Sequence, residues 1–175
     1  MGYYFDMSIG SLVGCSDCPD GTEFTLSTTM THGVTLGRKT RVGMGTGFDT
    51  YYRWKSVPVF ASASYDLAGT KNTHAIFVQA QYGWGFALYH SSDFSGPVDQ
   101  NGGIVFALLA GYRVKYHDLR IGISTGYKRQ SASLLYETQT WRPDEHGQWV
   151  LGTPTHRTVD VDLGRAVVNI VFSWR

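Results

Sequence analysis

The chain has 175 residues, enough for one domain spanning 1–175, and its 15 Lys and Arg nearly cancel its 14 Asp and Glu. That balance excludes a nucleic-acid or polyanion binder of the strongly basic kind, and nothing in the composition asks for a cofactor. No apolar run approaches the roughly 18 residues of a membrane helix, so a membrane crossing by this chain would require a closed β-barrel.

Long period-two alternation runs through the sequence, the mark of strands with one apolar and one polar face. The first predicted strand, Tyr3–Val13, sets Tyr3, Phe5, Met7, Ile9 and Val13 against Asp6, Ser8 and Gly10. The second, Glu23–Leu36, sets Phe24, Leu26, Met30, Val34 and Leu36 against Glu23, Thr25, Ser27, Thr29, Thr31 and Thr35. The third, Arg41–Tyr52, opposes Val42, Met44, Phe48 and Tyr52 to Gly43, Gly45, Gly47 and Asp49. The fourth, Val57–Leu67, opposes its Val, Ala, Tyr and Leu to Phe60, Ser62, Ser64 and Asp66. The fifth, Ala75–Tyr89, opposes Ile76, Val78, Tyr82, Trp84, Phe86 and Leu88 to Gln79, Gln81, Gly83 and Gly85. The sixth, Gly103–Lys115, and the seventh, Leu119–Leu135, place Arg113, Lys115, Arg120 and Lys128 on their polar faces. The eighth runs from about Val161 to Trp174, with Val168, Ile170, Phe172 and Trp174 against Arg165, Asn169 and Ser173. Soluble strands average about five or six residues, whereas a tilted transmembrane strand needs roughly nine to eleven.

Connection lengths alternate as well. Short turns follow the second and sixth strands, at Gly37–Thr40 and Tyr116–Asp118, while long loops follow the fifth and seventh, at about 90–102 and 136–160. Outer-membrane barrels pair short periplasmic turns with longer extracellular loops, so the termini are expected in the periplasm. A lipocalin is also an eight-stranded barrel, but it is apolar inside. Here the polar face is rich in Gly, Ser and Thr, leaving room for long charged side chains of both signs in a narrow lumen: Asp6, Glu23, Asp49 and Asp66 against Arg41, Arg113, Lys115, Arg120, Lys128 and Arg165. Tyr3, Tyr65, Tyr112 and Trp174 mark one apolar rim, and Tyr52, Phe86 and Tyr127 the other, as two aromatic girdles. The expected fold is all-β, an eight-stranded antiparallel up-and-down transmembrane barrel. No secretory signal precedes Gly2, so the numbering is expected to start at the mature chain or an expressed form of it.

The whole strand set resembles the small eight-stranded outer-membrane barrels of Gram-negative bacteria, the OmpX and OmpW sort. VTLGRKTRVGMGTGFDTYYRWKSVPVFASASYDL and GGIVFALLAGYRVKYHDLRIGISTGYKRQ look more particularly like barrels common in Bacteroidota. The terminal Ile170–Arg175, with Phe172 and Trp174, is similar to the aromatic signal read by the barrel-assembly machinery, except that Arg175 follows the last aromatic. The resemblance implies residence in the bacterial outer membrane among phospholipid and lipopolysaccharide, with other envelope proteins as partners. Barrels of this kind host adhesive, enzymatic and structural roles, so activity must come from sites.

Cys15 and Cys18 lie in the first long connection, Gly14–Thr22, where a local disulfide is expected and free thiols are the alternative. His90 and Ser92 continue the outward face of the fifth strand. Outer-membrane lipid A deacylases carry a His-x-Ser pair on the lipid-facing wall, completed by an acid from a neighbouring strand, and His90-x-Ser92 resembles that spacing. The sixth strand offers no outward acid near its start, and Asp93 stands where such enzymes carry Asn; Glu137 and Asp93 are the remaining acids, and the plain alternative is a polar strand end. Trp141 and Trp149 are spaced evenly about Glu145, so a hairpin opposing the two rings is expected, with exposed Trp as a docking surface. Asp144, Glu145 and His146 between them read as a solvated turn rather than a metal site. The inward glycines of strands three and five either leave a void, seat the inward Arg and Lys, or mark tight curvature. The function expected is a non-enzymatic outer-membrane barrel, a subunit of an envelope complex or a surface scaffold; the alternative is a lipid-modifying hydrolase using His90 and Ser92.

Overall fold

A computed structural model describes residues 2–14, 22–51, 54–68, 73–89, 98–143, 146 and 148–174. The long alternating segments form antiparallel strands β1 (Gly2–Gly14), β2 (Glu23–Leu36), β3 (Thr40–Thr50), β4 (Trp54–Ala68) and β5 (His74–Tyr89). Beyond these come β6 (Asp99–Asn101), β7 (Gly103–Tyr116), β8 (Leu119–Thr138), β9 (Trp141–Pro143), β10 (Trp149–Leu151) and β11 (Thr155–Trp174). Every long strand pairs with its chain neighbour, and β11 pairs with both β8 and β1, which closes the ring. The result is an all-β antiparallel ring of eight strands. Closure satisfies the backbone groups that an open sheet edge would expose.

The two ends of the ring differ. At one end sit the tight turns and both chain ends, with Gly2 opposite Thr35 and Trp174 opposite Phe5. Gly37 (φ 68°) and His117 (φ 55°) take the left-handed conformation that turns β2 into β3 and β7 into β8. The opposite, loop end carries the long connections.

The expected faces hold. Leu26, Met30, Met44, Val78, Leu108, Ile123 and Ile170 point outward and are exposed, while Ser27, Thr31, Ser62, Ser64, Gln81 and Ser124 are buried within. Both aromatic rims are present: Tyr3, Tyr65, Tyr112 and Trp174 at the turn end, joined by Tyr116, and Phe86 and Tyr127 towards the loop end. Tyr52 lies outside the described residues. On β8 the outward series runs Leu119, Ile121, Ile123, Thr125 and Tyr127 and then meets Arg129. At about 3.3 Å per residue and a tilt near 40°, that stretch is about 20 Å tall, and the step to Arg129 brings it to about 25 Å, the height of the apolar band in barrel proteins.

Two strands are longer than the alternation indicates. β8 continues to Thr138 and β11 begins at Thr155, and their ladder is unbroken from Thr155 opposite Thr138 to Trp174 opposite Leu119. Most of the expected loop at 136–160 is therefore a hairpin, extended further by β9 and β10, and β6 lies against its side, pairing Asp99 with Leu135.

Candidate functional site

The charged residues expected in the lumen form defined pairs. Arg41 donates from Nη1 to both carboxylate oxygens of Asp6, at 3.2 and 3.0 Å, and from Nε to Ser64. Ser173 donates to the same Asp6 at 2.5 Å, joining the last strand to the first and third. Arg113 pairs with Asp66, and Lys128 lies 2.5 Å from Asp49 Oδ2 with both side chains sealed from solvent. That approach is ionic rather than an aligned hydrogen bond, while Asp49 Oδ1 accepts from Ser27 at 2.6 Å. Arg165 sits 3.7 Å from Glu23. Arg120 is at the turn-end mouth with Lys115.

Of the inward glycines of strands three and five, Gly45 seats a ring, Gly43 the Tyr4 hydroxyl and Gly85 the Gln130 amide, while Gly47 and Gly83 lie first against backbone. None of the five has Arg or Lys among its nearest neighbours, so the alternative in which they seat those cations directly does not hold. A Cβ at Gly111 would meet the Phe77 ring at 2.7 Å, and one at Gly45 the Phe60 ring at 2.6 Å. Arg113 in turn lies 4.5 Å over Phe77, and Arg41 lies 5.1 Å over Tyr4. Gly111, Phe77, Arg113 and Asp66 thus stack in order across the lumen, and Arg41, like Arg113, is held by a π face and an anion together.

The loop half of the lumen is filled differently. Leu12, Tyr51, Trp54, Ala87, Leu109, Ala132, Leu163 and Val167 form a buried apolar cluster, with Tyr51 and Trp54 stacked at 4.6 Å. Tyr51 donates to Gln130 Oε1 at 3.2 Å, and Gln130 donates to Ser56. Sequence reasoning missed this plug. Its signal is the doubled apolar residues Leu12-Val13, Leu108-Leu109 and Val167-Val168, where one neighbour faces out and the other in.

Outside the ring, Arg129 and Asp162 form a two-pronged ion pair on the outer wall where the apolar band ends. The hydrogen bond from Arg129 holds the Asp162 carboxyl below the ordinary carboxylate range. Above it the hairpin tip corrects one expectation. Trp149 faces Pro143 and Trp141 faces Leu151, so the two Trp are diagonal neighbours rather than opposed, because the turn centres on His146 instead of Glu145. Trp141, Pro143, Trp149 and Leu151 nevertheless share one face, and the Trp are 64% and 68% exposed.

Cys15, Cys18, His90, Ser92, Asp93, Asp144 and Glu145 lie outside the described residues. The strands flanking β5 at its loop end present Lys55, Val57, Ile104 and Phe106 on the outer wall, and Glu137 pairs across the hairpin with His156, away from β5. Phe172 and Trp174 stack at 6.4 Å on the outer wall at the turn end, Trp174 also against Phe5. Among the described residues no group of three or more His, Cys, Asp or Glu gathers to hold a metal ion.

No family model matches the chain, and no curated protein does. Among solved structures it is similar to Neisserial surface protein A (NspA), with a TM-score of 0.65 over 99% of this chain and 97% of that one. NspA is a small eight-stranded outer-membrane barrel. The likeness is one of fold. At 12% identity it says nothing of shared chemistry, and the sites of this chain must be read from its own residues.

Proposed function

We propose that the chain is an integral outer-membrane barrel without a catalytic role, its termini on the periplasmic side. It serves as a structural or accessory subunit of a larger envelope complex, or as a surface scaffold. The exposed apolar band between two aromatic rims supports the membrane reading, since a soluble barrel of this size would bury that area. The observation that carries the binding role is the hairpin face of Trp141, Pro143, Trp149 and Leu151, held beyond the band on an unbroken ladder. Exposed Trp on a rigid element is the kind of residue that dominates protein interfaces. Lipopolysaccharide surrounds the outer wall in this reading, and Phe172 with Trp174 present the strand that the assembly machinery takes up. The test is copurification under gentle detergents from cells carrying wild type or Trp141→Ala/Trp149→Ala. Loss of a stoichiometric partner in the double variant, with folding unchanged, supports the docking role; a solitary wild-type barrel removes it.

A further inference from the structure

The turn-end mouth of the barrel holds a cavity of about 390 Å³, within the size range of small-molecule sites. Among the described residues its wall is lined by five cationic residues, Arg38, Lys39, Arg113, Lys115 and Arg120, against one acidic one, Asp66, with the Lys39 ammonium at the rim, 5.9 Å over the Tyr65 ring. That carboxylate is already engaged by Arg113. The concentration of charge is not a property of the chain, which is close to neutral. Three separate parts of the fold bring it together: the β2–β3 turn supplies Arg38 and Lys39, the end of β7 supplies Arg113 and Lys115, and the start of β8 supplies Arg120. Backbone hydrogen bonds fix the rim, from Asp66 N to Lys39 O at 2.9 Å and from Lys115 N to Thr73 O at 2.6 Å.

A second observation points the same way. Arg113 is 1% exposed, and its Nε and Nη1 have no hydrogen-bond acceptor among the described residues. A guanidinium is recognised through several N–H groups at once, and here Asp66 takes only the Nη2 edge while the Phe77 ring covers one face. Buried donors left in this state call for an acceptor.

We propose that this mouth is a binding site for a phosphoryl-bearing anion. A carboxylate offers two oxygens and one charge, suited to a single Arg fork. A phosphoryl group presents more acceptor oxygens in divergent directions and suits cations converging from several elements. The same chemistry is offered by phosphate or a phosphate monoester in solution and by the headgroup of a phospholipid in the adjoining leaflet. Because the apolar plug and the Asp49–Lys128 pair fill the lumen further in, the site opens at the mouth alone.

The full chain in a maltoside detergent, which contains no phosphate, is titrated calorimetrically with inorganic phosphate, with dihexanoyl phosphatidylglycerol and with acetate. Saturable binding of at least one phosphoryl probe is expected, at least tenfold tighter than acetate and weakened by salt. Lys115→Gln/Arg120→Gln should weaken it at least tenfold. Arg38→Gln/Lys39→Gln, in an exposed turn, should weaken it severalfold and decides the matter if the first variant does not give a folded barrel. Binding of phosphate itself identifies a solute; binding of the lipid probe alone identifies a headgroup. Absence of saturable phosphoryl binding at low salt, acetate binding as tightly, or undiminished binding in the folded variants overturns the proposal.

Discussion

Removing the ammonium of Lys128 isolates the Asp49 carboxylate where no water reaches it. Both side chains are sealed, at 3% and 0% exposure, and among the described residues only the Ser27 hydroxyl remains as a partner for Asp49. Breaking a buried pair from one side costs about 3–5 kcal/mol, because the surviving charge keeps its desolvation penalty without its counter-ion. At about 1.4 kcal/mol per decade, Lys128→Met should lower the folded-to-unfolded ratio by roughly a hundredfold to several thousandfold. The double variant Asp49→Leu/Lys128→Met removes both charges and leaves apolar side chains, position 128 having Leu163 and Val167 of the buried cluster as its diagonal neighbours on β11. Its remaining cost is the orphaned Ser27 hydroxyl, about 1–2 kcal/mol. The double variant should therefore be more stable than the single one. Equilibrium urea unfolding in lipid vesicles, followed by Trp fluorescence, measures all three proteins. A single-variant loss below about 1 kcal/mol, or a double variant no better than Lys128→Met, would refute the claim that this pair is sealed and mutually dependent.

Unheated protein should migrate differently from boiled protein on a denaturing gel and should need detergent for extraction; recovery from the soluble fraction would remove the membrane reading. Lipid A from cells expressing wild type, Ser92→Ala or no protein should show identical acyl chains by mass spectrometry, since no catalytic role is expected for His90 and Ser92. Asp162 binds its proton less readily folded than unfolded, so its stabilising contribution is present at neutral pH and is lost as pH falls through its lowered folded-state value. Asp162→Asn should flatten that acid limb slightly, the pair being half exposed, and a limb unchanged in the variant would show that the pair adds nothing.

The strands were legible wherever one face met lipid and the other met the lumen, because that contrast is what alternation records. Beyond Arg129 it fades. Ser131, Ser133, Asp160 and Asp162 occupy the outward positions there, so both faces are wet and the continuing ladder leaves no polarity signature. For the same reason no polarity signal sets the hairpin register, which lies two residues from the symmetric pairing of Trp141 with Trp149. Lumenal charges could be named from their parity, but not matched. Asp49 finds Lys128 across the lumen from strands far apart in the chain, a juxtaposition set by barrel stagger. The basic mouth was partly visible as Lys115 and Arg120 on one face. Arg38 and Lys39 read only as part of a short turn, and the closed ring brings that turn alongside the ends of β7 and β8.

The long β8–β11 ladder also has a mechanical meaning. It adjoins the seam where the last strand meets the first, so the hairpin tip is rooted at the place where the ring is closed. Traction on the tip along the strand axis draws β8 and β11 together and loads their ladders with β7 and β1 in shear, rather than peeling rungs one by one. From Arg129 to Thr138 the stalk runs about 30 Å along its strand, about 23 Å of height past the apolar band at the same tilt. A tether gripping that tip would tug on the whole wall, and the wall would resist as a unit.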